Sequence, residues 1–175
     1  MGEVPATVTW GLLAAWAVHD AEELATMAAW MRENRAQLEE RFPRVPWGRF
    51  ELSQKQVNVA IGLMAGVIAG AAADGARTGG RSPVFQSVLA GFGLHGLVHL
   101  AQAAIVRGYT PGVVTSPLMV LPFSVWAWRR LKAAGVPVRG SAAGLMAFPA
   151  VVGGVHALAR LATRPRKARV SGRWF

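Results

Sequence analysis

The chain is predicted to be an all-α bundle of about five transmembrane helices. Its N-terminus is expected outside and its C-terminus in the cytoplasm. Three observations predict this. Of 175 residues, 53% are hydrophobic and only 16% charged, where a soluble domain carries about 25% charged residues. The apolar residues gather in long blocks, each near the ~20 residues that a spanning helix needs. The basic residues concentrate in a first loop (Arg32, Arg35, Arg41, Arg44, Arg49, Lys55) and a C-terminal segment (Arg160, Arg164, Arg166, Lys167, Arg169, Arg173). Basic loops stay on the cytoplasmic side, and that sets the orientation. Arg129, Arg130, Lys132 and Arg139 then lie outside, a smaller basic group.

The first span runs from about Pro5 to Met31 and is interrupted by His19-Asp20-Ala21-Glu22-Glu23. Leu24, Met27, Ala28, Met31 and Leu38 keep helical spacing. The helix is therefore expected to extend into the first loop, whether the span ends at His19 or continues past Glu23. The second span covers about Val57 to Ala76. Its Gly62, Gly66 and Gly70 repeat every four residues, a face on which another helix is expected to pack closely. The third runs from Pro83 to Val106, with proline suited to a first helical turn. The fourth, about Gly112 to Trp128, contains Pro117 and Pro122 and is expected to be kinked. The fifth runs from about Gly140 to Ala162. Residues 1–163 thus form the bundle, and residues 164–175 a basic tail that lies on anionic lipid. Met1 to Trp10 lacks the basic flank of a cleaved signal and is expected to remain in the mature protein.

Composition closes several routes. Without cysteine, disulfides, thiolate zinc sites, iron–sulfur clusters and cysteine nucleophiles are excluded. The net charge of +10 is explained by cytoplasmic loops, and no nucleic-acid motif accompanies it.

Four histidines are present, all inside apolar segments. An ionisable group in hydrocarbon is costly and marks a functional site. His19, Glu22 and Glu23 share a helix face, because residues three and four apart do. Asp20 points elsewhere and is expected to pair with an arginine. His95 and His99, four apart, align two imidazoles as helical zinc ligands do. His156 stands alone in the fifth span. At 1.5 Å per residue, His19 lies about 20 Å, His95 and His99 about 18 and 24 Å, and His156 about 22 Å below the starts of their helices. Three helices thus place their histidines in one layer. Tyr109, in Tyr109-Thr110-Pro111-Gly112, is held near that layer by a Pro-Gly turn.

These residues together resemble the HXXEE family of small bacterial membrane proteins. His19, Glu22 and Glu23 match its His-x-x-Glu-Glu motif. The His95/His99 pair and His156 match its further histidines, and Tyr109, Pro111 and Gly112 its Tyr-x-Pro-Gly. The resemblance covers about residues 10 to 160. It implies a multi-pass protein of the bacterial inner membrane with a polar or metal site, and supplies no activity.

The candidate metal ligands are His19, Glu22, Glu23, His95, His99 and His156, a nitrogen and oxygen set that fits zinc, iron or manganese. A zinc site would use three histidines, with Glu22 or Glu23 as general base and Tyr109 donating to a developing oxyanion. That chemistry is hydrolysis or group transfer on a lipophilic or amphiphilic substrate. The alternative is a pair of irons that oxidises a lipophilic substrate with electrons from a donor. A metal or proton transporter would bury the same residue types, but no inverted repeat is visible. A haem protein and a purely structural role complete the alternatives.

Overall fold

The structure, a computed structural model, describes residues 2–139 and 142–164, without the side chains of residues 142, 143, 145 and 146. Of the expected basic tail, residues 165–175 lie outside the described residues. The described residues form five α-helices and no strand: α1 Ala6–Arg41, α2 Gln54–Arg77, α3 Pro83–Val106, α4 Leu121–Ala133 and α5 Ala142–Thr163. A short 3-10 turn, Trp47–Arg49, lies in the first loop, and a π-helical turn, Ser116–Val120, leads into α4.

Local chemistry sets the helix ends. The Ser53 side chain accepts from the Gln56 amide while the Gln56 side chain accepts from the Ser53 amide, a capping box that starts α2. Ser82 caps α3 and Pro83 fills its first position, where an amide hydrogen has no intrahelical partner. Arg107 then ends α3 in a left-handed conformation, φ 59°. Pro117 and Pro122 each remove an amide hydrogen. The expected kink is accordingly a wide π turn between them and a shortened α4 of 13 residues. α1 is one continuous helix of 36 residues. Gln54 at the head of α2 donates to the Leu24 carbonyl, so the rest of α1 projects past it.

The odd-numbered helices run the same way. Arg41 donates to the Val106 carbonyl, and Arg160 to the Arg49 carbonyl, which gathers the ends of α1, α3 and α5. At the opposite end Gly2 lies against Ala134, and Gly80 against Leu131 and Val4. α1 packs most extensively on α2, which also meets α3 and α5. Leu12, Trp16, Ile68, Phe85, Phe92 and Val120 are among the core side chains where α1 to α4 converge.

Polarity is distributed unusually. His19, Gln86 and Ser116 are fully buried, while Leu97, Val98, Ile105, Leu118, Val125 and Leu158 are exposed. α2 and α3 are long and apolar enough to cross a membrane. The apolar part of α5, Ala147–Thr163, is shorter. The acidic cluster interrupts the apolar run of α1, and the π turn shortens α4.

The glycine stripe of α2 departs from expectation. A Cβ built at Gly62, Gly66 or Gly70 would meet nothing within 4 Å. α2 turns its Ala60, Ile68, Ala71 and Ala72 inward instead. The close approaches lie at other glycines, Gly11 of α1, Gly75 of α2 and Gly91 and Gly96 of α3 among them. A Cβ at Gly91 would stand 2.6 Å from the Phe148 ring, and one at Gly96 2.9 Å from Val120.

Candidate metal centre

His19 and Glu23 lie on the inner face of α1, and His95 and His99 face them from α3. Each of the four offers one donor atom, and these atoms all lie within 4.8 Å of one another. The ring centroids of His19 are 5.1 Å from His95 and 4.9 Å from His99, and the α3 pair are 4.3 Å apart. His99 Nε2 is 2.9 Å from His95 Nε2 and 3.2 Å from Glu23 Oε1. His19, Glu23 and His99 are buried. Such a His/Glu group could hold a metal ion.

The second glutamate of the cluster does something different. Glu22 turns toward the loop that follows α3. Its carboxylate accepts from the Thr115 hydroxyl at 2.6 Å, the Thr115 amide at 2.8 Å, the Val114 amide at 3.3 Å and the Tyr109 hydroxyl at 2.9 Å. His19 Nδ1 lies 2.7 Å from the same Thr115 oxygen. A hydroxyl has one proton, and a carboxylate can only accept. Thr115 therefore donates to Glu22 and accepts from His19, which carries its own proton on Nδ1. The remaining nitrogen, His19 Nε2, is a bare lone pair, and it is buried without a hydrogen-bond partner. Fixing the tautomer through the far nitrogen is how proteins prepare an imidazole for a metal. The same loop passes close to His99 at Gly112. The Nδ1 of His99 is buried without a hydrogen-bond partner, and its Nε2 is turned toward the cluster.

Gly112 makes this loop fit. Its φ is +84°, and a Cβ there would stand 2.7 Å from His99 and 2.9 Å from His19. Only glycine combines that conformation with that proximity.

Beside the cluster opens a cavity of about 540 Å³ between α1, α2, α3 and α5. Asp20, Glu23, His95 and His99 form its polar end, and Trp16, Met27, Trp30, Ile61 and Met64 contribute apolar wall. Asp20 was expected to pair with an arginine. It is 7% exposed and makes no hydrogen bond or ion pair among the described residues. The reason is that it faces a cavity whose lining contains no arginine or lysine.

Of the six expected ligands, the structure gathers His19, Glu23, His95 and His99. Glu22 is bonded to Thr115, and His156 lines the cavity from α5 without joining the four donors. The Tyr109 hydroxyl donates its one proton to Glu22, lies 3.2 Å from the Thr26 hydroxyl and does not line the cavity. Partial burial, together with the Glu22 carboxylate beside it, holds this phenol above its usual range, so it stays a donor. Thr115 was not singled out in the sequence, because a threonine in a proline-rich loop carries no mark of its role.

A family model described as a protein of unknown function with HXXEE motif matches residues 10–127. No curated protein and no solved structure matches the chain. The matched segment holds His19, Glu22, Glu23, His95, His99, Tyr109 and Thr115, which are the four donors and the residues that brace them. The chain belongs to the HXXEE family.

Proposed function

We propose that this is a multi-pass membrane metalloprotein whose His19, His95, His99 and Glu23 hold one divalent ion of zinc type. The observation that carries the reading is the buried, partnerless Nε2 of His19, freed by the Glu22–Thr115–His19 chain. A desolvated imidazole nitrogen beside two more imidazoles and a carboxylate has little use other than as a ligand. Zinc bonds of about 2.0–2.1 Å separate tetrahedral ligand atoms by about 3.4 Å. The four donors lie within 4.8 Å of one another, so small side-chain rotations close the site. Four convergent donors fit one ion better than two, because Glu22 is fully engaged elsewhere.

The chemistry that follows is hydrolysis or a related transfer on a lipophilic or amphiphilic substrate. A bound ion would supply Lewis acidity. Four protein ligands leave no position for water, so turnover would need Glu23 off the ion, where it can take the proton of an attacking water and return it to the leaving group as the scissile bond breaks. Glu22 and Tyr109 act in this reading as positioning residues through Thr115. All five helices are taken to span the membrane, with the ends of α1, α3 and α5 in the cytoplasm. Polar side chains inside and apolar ones outside support that placement.

Metal analysis of protein purified without chelators tests the reading. One ion per chain is expected, with His99→Ala losing it while helical content is retained. Two ions per chain would favour the di-iron alternative, and a metal-free wild type would remove the proposal.

A further inference from the structure

The cavity holds a second recognition feature that the ion does not use. Asp20, one helical step from His19, is 93% buried by its 7% exposure and has no partner among the described residues. Thr110, from the loop after α3, also lines the cavity, and its hydroxyl is buried and unpartnered. Buried polar groups are normally satisfied, so each unsatisfied one calls for a partner. A buried carboxylate is costly above all when no cation accompanies it. Asp20 is not among the four donors of the cluster.

The surroundings specify the partner. No lysine or arginine lines the cavity, and Asp20 and Glu23 are its carboxylates. Three tryptophans do line it: Trp16, Trp30 and Trp47. Indole faces attract cations, most strongly where water is excluded. Met27, Ile61 and Met64 are among the apolar residues of the remaining wall. The volume of about 540 Å³ falls within the roughly 300–1,000 Å³ of small-molecule sites.

We infer that the cavity binds a single-chain amphiphile with a positively charged ammonium head, which sits on Asp20 while its alkyl chain runs along α1 and α2. The inference rests on the reading of this cavity as the substrate's place. It names the class of amphiphile, an alkylammonium compound, whose head would lie beside the neighbouring cluster.

A photoreactive probe tests it on the full chain in neutral-lipid nanodiscs. The probe is dodecyltrimethylammonium with a diazirine on its chain. Saturable labelling of α1 and α2 residues on the cavity wall is expected, displaced by unmodified dodecyltrimethylammonium. Asp20→Asn should weaken labelling by about tenfold, equivalent to ~1.4 kcal/mol. Met64→Trp, which fills the cavity, should abolish it. Equal labelling by the matching alkyl sulfate or alcohol, or unchanged labelling in both variants, would overturn the inference. Metal content measured on the same samples separates the two readings. Labelling without metal removes the metal centre alone, and metal without labelling removes this inference alone.

Discussion

Replacing Thr115 by valine keeps the shape of the side chain and deletes the hydroxyl between Glu22 and His19. If that hydroxyl fixes the tautomer, metal affinity should fall about 10–100-fold, the usual cost of losing such an outer partner. Helical content should not change, and competition against a chelator of known affinity reads the loss. An unchanged affinity would dismiss the relay. At this scale the sequence showed which residue types were available and not how they divide their work. Glu22 and Glu23 are neighbours with nominally the same chemistry. A helix turns about 100° per residue, which sends Glu23 to the imidazoles and Glu22 to the loop after α3. Which of them met a hydroxyl depended on where Thr115 came to rest, 93 residues further along the chain.

Helix boundaries were far more legible, because caps, prolines and apolar blocks are local. Pro83 and Val106 bound α3 as its sequence predicts. The direction a helix faces was less so. The Gly62, Gly66 and Gly70 stripe has the spacing of a packing face, yet it points away from the bundle, and close contacts fall instead at Gly11, Gly75, Gly91 and Gly96. Small-residue spacing states that an approach is sterically allowed and not which neighbour makes it. Gly66→Ala should therefore leave stability unchanged or raise it by about 0.5–1 kcal/mol, the usual cost of glycine within a helix. Gly91→Ala, aimed at the Phe148 ring, should cost about 1–3 kcal/mol, as overpacking does. Unfolding midpoints in one detergent distinguish them, and a larger loss at Gly66 would place a partner on that face.

The proposed orientation of the whole molecule is open to a direct measurement, because the chain has no cysteine. Lys132→Cys and Gln37→Cys introduce single exposed thiols at opposite ends of the bundle. An impermeant maleimide should label Lys132→Cys in intact cells, and Gln37→Cys only after permeabilisation. The reverse pattern would invert the topology, and equal labelling of both would discard it. The sequence by itself determined that the chain is helical and built from apolar blocks around rare ionisable groups, since those properties are set by composition and by the short-range periodicity of a helix. It also determined the family, through motifs written in consecutive residues. Only the tertiary structure decided that four of six candidate donors meet, that Glu22 braces rather than joins them, and that Asp20 faces a cavity lined by no lysine or arginine. Those outcomes depend on the rotation of each helix and on a loop folding back between α1 and α3, quantities fixed by packing among distant segments.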